Sequence, residues 1–133
     1  MPHVLLYLAT LVLFLALDFL GLSYIVKPVF DEAIGPLLLE DFRFLPAALF
    51  YAFYVAVLIW FVSWPALRDD KPTPWVFGNA ALLGAMGYGT YEFTSYAVMA
   101  DWTLRMVVVD LVWGTLLTAV SATAGFLVAR RMI

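Results

Sequence analysis

Residues 104–128, LRMVVVDLVWGTLLTAVSATAGFLV, decide the fold. Arg105 lies near one end and Asp110 is the only other charge. The stretch is roughly 25 residues long, enough at about 1.5 Å per residue to cross a hydrocarbon core of about 30 Å. A carboxylate in such a place costs at least about 2.5 kcal/mol and normally faces a bundle interior or an aqueous cavity. Helical arithmetic agrees. Asp110 shares a face with Trp113, Gly114, Thr118, Ser121 and Gly125, while Leu111, Val112, Leu116 and Leu127 fall elsewhere.

Three further apolar segments lie upstream, at residues 4–26, 45–67 and 75–99. With 65% hydrophobic residues, a mean hydropathy of +0.98 and 13% charged residues, the chain departs from soluble domains, which average about 25% charged. The expected class is all-α: a single polytopic domain of four transmembrane helices in a compact bundle. Breakers fall between the segments, at Lys27-Pro28, at Trp64-Pro65 with the polar turn RDDKPTP, and at Ala100-Asp101. Trp60, Trp64, Trp75 and Trp102 lie near segment ends, as an aromatic belt requires.

Residues 28–43, PVFDEAIGPLLLEDFR, are too short and polar for a fifth span and read as an interfacial turn or short amphipathic helix. The start, MPHVLLYLATLVLF, lacks both the basic region and the cleavage site of a secretory signal, so it reads as a retained first helix. Arg68, Lys71, Arg130 and Arg131 on one side outnumber Lys27, Arg43 and Arg105 on the other. That excess favours both termini in the cytoplasm of a bacterial inner membrane; its margin is one residue, so inverted or dual topology stays open. No internal repeat is evident.

Composition also excludes chemistry. Without cysteine there are no disulfides, thiolate metal sites or cysteine nucleophiles, and His3 is the single histidine. The usual zinc, haem and di-iron sets lack their donors, so neither metal nor cofactor is expected. No basic patch points to nucleic acid.

Two more acids sit in apolar surroundings, Asp18 in LVLFLALDFLGLSYIV and Glu92 in GYGTYEFTSYAVM. Counted from the segment ends at residues 26, 99 and 104, the three acids lie roughly 9 to 12 Å deep, in one layer. Tyr51 and Tyr54 fall at a comparable depth, sharing a stripe with Ala47 and Leu58 and offering phenolic hydroxyls. Around Glu92, the positions Ala81, Ala85, Tyr88, Gly89, Ser95 and Tyr96 form a small and hydroxylated face that should point inward. Three carboxylates in one dry layer cannot all be charged without a cation. One of them holds its proton, or a cation is bound. Arg105, about 100° around the helix from Asp110, is expected at the mouth of the site with Asp101 as its partner.

Each residue also has a plain structural reading. Asp18 could serve as a packing acid bonded to a neighbouring Tyr or Thr, and Tyr88, Tyr91, Tyr96 and Trp113 as core aromatics. Asn79 reads as interfacial. Glu40, Asp41, Asp69 and Asp70 read as solvated caps.

The segment GAMGYGTYEFTSYAVMADWTLRMVVVDLVWGTLLTAVSATAGF carries Tyr88-x-x-Tyr91-acid-x-Thr94, a short turn with Trp102, and Asp110-x-x-Trp113-Gly114. With Asp18 and the Phe50-Tyr51 pair, it resembles the bacterial integral membrane proteins grouped as domain of unknown function 2177. In that family the third-helix acid is commonly Asp followed by Leu-Thr-Asn, where this chain has Glu92-Phe93-Thr94-Ser95, and the first-helix acid is often followed by Trp. The resemblance implies the fold and the set of acids, and no established activity.

Three functions stay open on these residues. Asp18, Tyr51, Tyr54, Tyr88, Glu92, Asp110 and Trp113 could bind or transport a proton, a cation or an amphipathic small molecule, with a homodimer supplying further walls. They could perform acid–base chemistry on a lipid or isoprenoid chain, the aromatic rings supporting a cation. Alternatively, the protein is an auxiliary subunit of a larger membrane complex, docking through an aromatic face such as Phe50, Phe53 or Trp60. Membrane lipid is a partner in every case.

Overall fold

The computed structural model describes residues 2–38 and 43–132; Glu40 and Asp41 lie outside them. Four long helices account for nearly all of the described chain: α1 (Pro2–Leu37), α2 (Phe44–Arg68), α3 (Thr73–Val98) and α4 (Leu104–Met132). No strand occurs among the described residues.

Local chemistry explains the boundaries. Pro72 is extended and precedes Thr73-Pro74, so α3 opens on prolines whose missing N–H groups are not needed in a first turn. The Thr103 hydroxyl caps α4 by accepting the Met106 N–H at 3.2 Å. After α2, Asp70 takes a left-handed conformation (φ 54°), and the Lys71 N–H bonds back to the Ala66 carbonyl at 2.9 Å. Together these close a Schellman turn with an aspartate where glycine is usual.

Lys27-Pro28 does not end α1. The chain stays helical through a π-turn at Leu22–Val26, marked by the Lys27 N–H bonding the Leu22 carbonyl, and continues as Lys27–Ile34 and a 3₁₀ turn, Gly35–Leu37. In α2 the same device recurs at Ile59–Ser63, where the Trp64 N–H bonds the Ile59 carbonyl one residue before Pro65. A proline ring inside a regular helix strikes the carbonyl four residues back. The wide turn relieves that clash, and the helix passes through. The amphipathic helix expected after the first span is therefore present, joined to α1 without a break. Its buried residues Val29 and Ile34 pack with Trp102, Met106 and Val107.

α4 is the central helix. α3 lies along it on one side, with Gly84 against Thr118 and the Gly114 carbonyl. On the other side α1 runs antiparallel to it, Thr10 packing on Gly125 and Trp113 covering Gly21. Between helices in lipid the attraction comes from close packing rather than from water exclusion, which is why glycine marks these crossings. α2 packs mainly through Val55, Leu58, Ile59, Val62, Ser63 and Ala66, while Phe44, Leu45, Leu49, Phe50 and Phe53 are exposed.

α1, α2 and α4 are long and apolar enough to cross a membrane. α3 has comparable length, 26 residues, yet falls below the same measure of apolarity. Its glycines, Asn79, Glu92 and hydroxylated residues lower its hydropathy. The buried line is Val76, Ala80, Gly84 and Glu92, so the inward face is centred one residue from the Ala81–Ala85 line expected, and Tyr96 is exposed.

Candidate functional site

Tyr88 on α3 sits in the notch left by Gly114 of α4; a Cβ there would overlap the tyrosine ring. Four residues further along α3, and four back along α4, this register sets Glu92 opposite Asp110, and their side chains interact directly. Both are buried, Glu92 completely. The indole N–H of Trp102, in the α3–α4 turn, donates to Glu92 Oε1 at 2.9 Å. Glu92 Oε2 is buried without a hydrogen-bond partner among the described residues.

Trp102 closes the site from the turn side. Its ring meets Phe30 of α1 edge-on at 5.3 Å and Tyr91 of α3 at 5.5 Å. These contacts fix the indole beside Glu92, and the one from Phe30 exists because α1 continues past Pro28.

Asp18 is buried on α1, facing the Tyr51 hydroxyl and the Trp113 indole. The Trp113 N–H is buried beside Asp18 and has no hydrogen-bond partner among the described residues. The Thr10–Gly125 crossing puts Asp18 level with Leu117, seven residues or about 10 Å along α4 from Asp110. One layer of acids is thus not what forms. The depth count assumed that α1 ends near Val26, and with α1 running on, the polar groups step through the bundle in two tiers. Glu92 and Asp110 form one tier, Asp18 and Tyr51 the other. Tyr88 lies between them, within electrostatic reach of Asp18, Tyr51, Tyr54 and Asp110, and Asp18 and Asp110 sense each other across the step.

Tyr54 belongs to the far end of this series. Its hydroxyl lies 2.7 Å from Thr118 Oγ1, and Thr118 donates its own proton to the Gly114 carbonyl at 2.8 Å. Tyr54 is therefore the donor to Thr118, and it stacks edge-on against Tyr88 at 6.2 Å.

The structure thus brings together Asp18, Tyr51, Tyr54, Tyr88, Glu92, Asp110 and Trp113, in two tiers. Arg105 stands at the Trp102 end, exposed, and pairs with Glu32 of α1 at 2.9 Å. Asp101 is not its partner, because the continued α1 lies beside the start of α4 and supplies a closer carboxylate. Trp102 and Thr118 were not expected as partners of site residues. Trp102 read as a belt residue, and only the register of α3 on α4 brings its indole to Glu92. Among the described residues no group of three or more His, Cys, Asp or Glu side chains could hold a metal ion.

The arrangement suits proton chemistry. Two facing buried carboxyl groups cannot both carry charge without a compensating cation, and among the described residues no cationic side chain pairs with either. A proton held by one and shared with the other meets the requirement in the least space.

Neither the curated proteins nor the solved structures include a match to this chain. A family described as predicted membrane protein, DUF2177, matches residues 3–127. The match takes in α2, α3, nearly all of α1 and most of α4, with every residue of the two acid tiers and the Trp102 turn, and the chain belongs to the DUF2177 family.

Proposed function

We propose that the Glu92–Asp110 pair is a proton-binding site inside the membrane, and that α3 crosses the bilayer as a fourth span carrying one half of it. At about 1.5 Å per residue its length matches a span, and its polar face is turned to α4. The observation that carries the reading is Glu92, fully enclosed and interacting with Asp110, its Oε2 without a hydrogen-bond partner among the described residues. Trp102, Tyr88 and Tyr91 fill the surroundings of the pair. A proton or a small cation fits that space better than an amphipathic molecule. Asp18, one tier further on, is the natural second station if the proton moves through the bundle.

Infrared difference spectroscopy of the protein in lipid nanodiscs tests the reading. The expected result is a protonated-carboxyl band at neutral pH that disappears in Glu92→Gln or Asp110→Asn and persists in Glu32→Gln. A spectrum showing only ionised carboxylates, unchanged by these substitutions, would overturn it. Proton uptake by proteoliposomes, compared for wild type and Asp18→Asn, then separates binding from transport.

A further inference from the structure

A slot runs between α2 and α3 on the lipid side of the bundle. One cavity of about 130 Å³ lies among Phe53, Tyr54, Val57, Leu83, Met86 and Gly87. A second, of about 300 Å³, lies further along and shares Leu83 and Met86 with it. The shared side chains set the two cavities end to end along the α2–α3 seam. From Phe50 to Val62, its two extremes on α2, the slot covers twelve residues, about 18 Å, a little over half of a hydrocarbon core of about 30 Å. It has the length of one leaflet.

Polarity is graded along the same face of α3. Lys71, in the turn between α2 and α3, extends over the Trp75 ring, 5.6 Å from its centroid. Four residues on, Asn79 donates to the Trp75 carbonyl at 2.8 Å and lines the slot where it is nearest that turn. Leu82, Leu83 and Met86 follow. A cation, an interfacial tryptophan, a carboxamide and then an apolar channel succeed one another at helical spacing, in the order in which a phospholipid presents phosphate, glycerol esters and acyl chain.

Charge on this side agrees. Asp69 is taken up by Arg68, whose guanidinium donates to both carboxylate oxygens at 3.0 Å, while Lys71 has no carboxylate within ion-pair distance among the described residues. Arg130 and Arg131 end α4 at the same end of the bundle, so four cationic side chains on that side of the membrane stand against Asp69 and Asp70. The surface favours a phosphate.

We infer that the α2–α3 slot binds one phospholipid of the leaflet on the Lys71 side, with its phosphodiester at Lys71 and one acyl chain between Phe53 and Met86. Tyr54 and Gly87 then form the floor on which the chain ends, one aromatic ring from Tyr88. The site is separate from the carboxyl pair and stands or falls independently of it.

Native mass spectrometry of the full chain, titrated with phosphatidylglycerol and in parallel with diacylglycerol of the same chains, tests the inference. Wild type is expected to retain one phosphatidylglycerol and to hold diacylglycerol about tenfold less well. Lys71→Gln should lower phosphatidylglycerol retention about tenfold. Met86→Trp, at an exposed position where the larger ring fills the slot without entering the core, should lower both lipids together. Unchanged thermal midpoints in the two variants show that folding is not the cause. Equal retention by wild type and both variants would overturn the inference, as would wild-type protein that retains diacylglycerol as well as phosphatidylglycerol.

Discussion

Glu92 and Trp102 are joined across the α3–α4 turn by an indole N–H on a carboxyl oxygen at 2.9 Å, and this is the one hydrogen bond donated to the carboxyl pair by another residue type among the described residues. Removing it leaves a buried acid without a donor. Trp102→Phe should therefore destabilise the bundle by about 1–3 kcal/mol in reversible unfolding from detergent. In Glu92→Met, where the buried acceptor is gone as well, the same change should cost less. The difference between the two backgrounds is expected to reach at least about 0.6 kcal/mol, the usual scale of interhelical hydrogen bonds in membranes.

The crossing of α3 with α4 depends on a missing side chain. Gly114→Ala would place its methyl inside the Tyr88 ring, so a loss of about 1–3 kcal/mol is expected, with partial recovery in the double variant Gly114→Ala/Tyr88→Ala. Gly78 lies on the same helix as Tyr88 with nothing near the position of a Cβ. Gly78→Ala should stay within about 1 kcal/mol of wild type, on the stabilising side. Thermal unfolding of the set compares them directly.

Asp70 closes the α2–α3 turn with φ at 54°. Left-handed backbone disfavours a Cβ, so Asp70→Gly should raise stability by up to about 1 kcal/mol, an effect that equilibrium unfolding resolves. Asp70→Val should lower it, since a β-branched side chain tolerates that conformation worst.

Arg105 and Glu32 form an exposed ion pair linking α4 to the far part of α1. Both side chains are mostly in solvent, and Arg105→Gln is expected to change stability by less than about 1 kcal/mol. Whatever effect appears should shrink as salt is raised, which unfolding at two ionic strengths would show.

Much of this architecture was legible in the residues. Hydropathy and breakers placed α2, α3 and α4 to within a few positions, and the face built from Asp110, Trp113, Gly114, Thr118, Ser121 and Gly125 turned inward as spacing required. What escaped was set by relations between helices. Proline is read as a stop because a regular helix cannot accept its ring, and the π-turns before Pro28 and Pro65 leave no mark in hydropathy. From that one misreading came the short first span, the single layer of acids and the pairing of Arg105 with Asp101. α3 escaped in another way. Its inward line depends on where Gly84 meets α4, a fact about the partner helix rather than about α3 alone.

The two π-turns also decide where the chain can change length. Along α1 the buried residues step from Leu6 through Thr10, Phe14 and Asp18 to Gly21, and then jump five positions to Val26 before resuming at Val29. That five-residue jump is a loop of slack wound into the helix. Losing one residue between Gly21 and Val26 would tighten the slack into an ordinary turn and leave both flanks facing as they do now. A loss of the same size around Val12 would swing everything on one side of it by about 100°, carrying either Asp18 or Thr10 away from α4. Proteins of this kind that differ by a single residue in length should show the difference just before a proline.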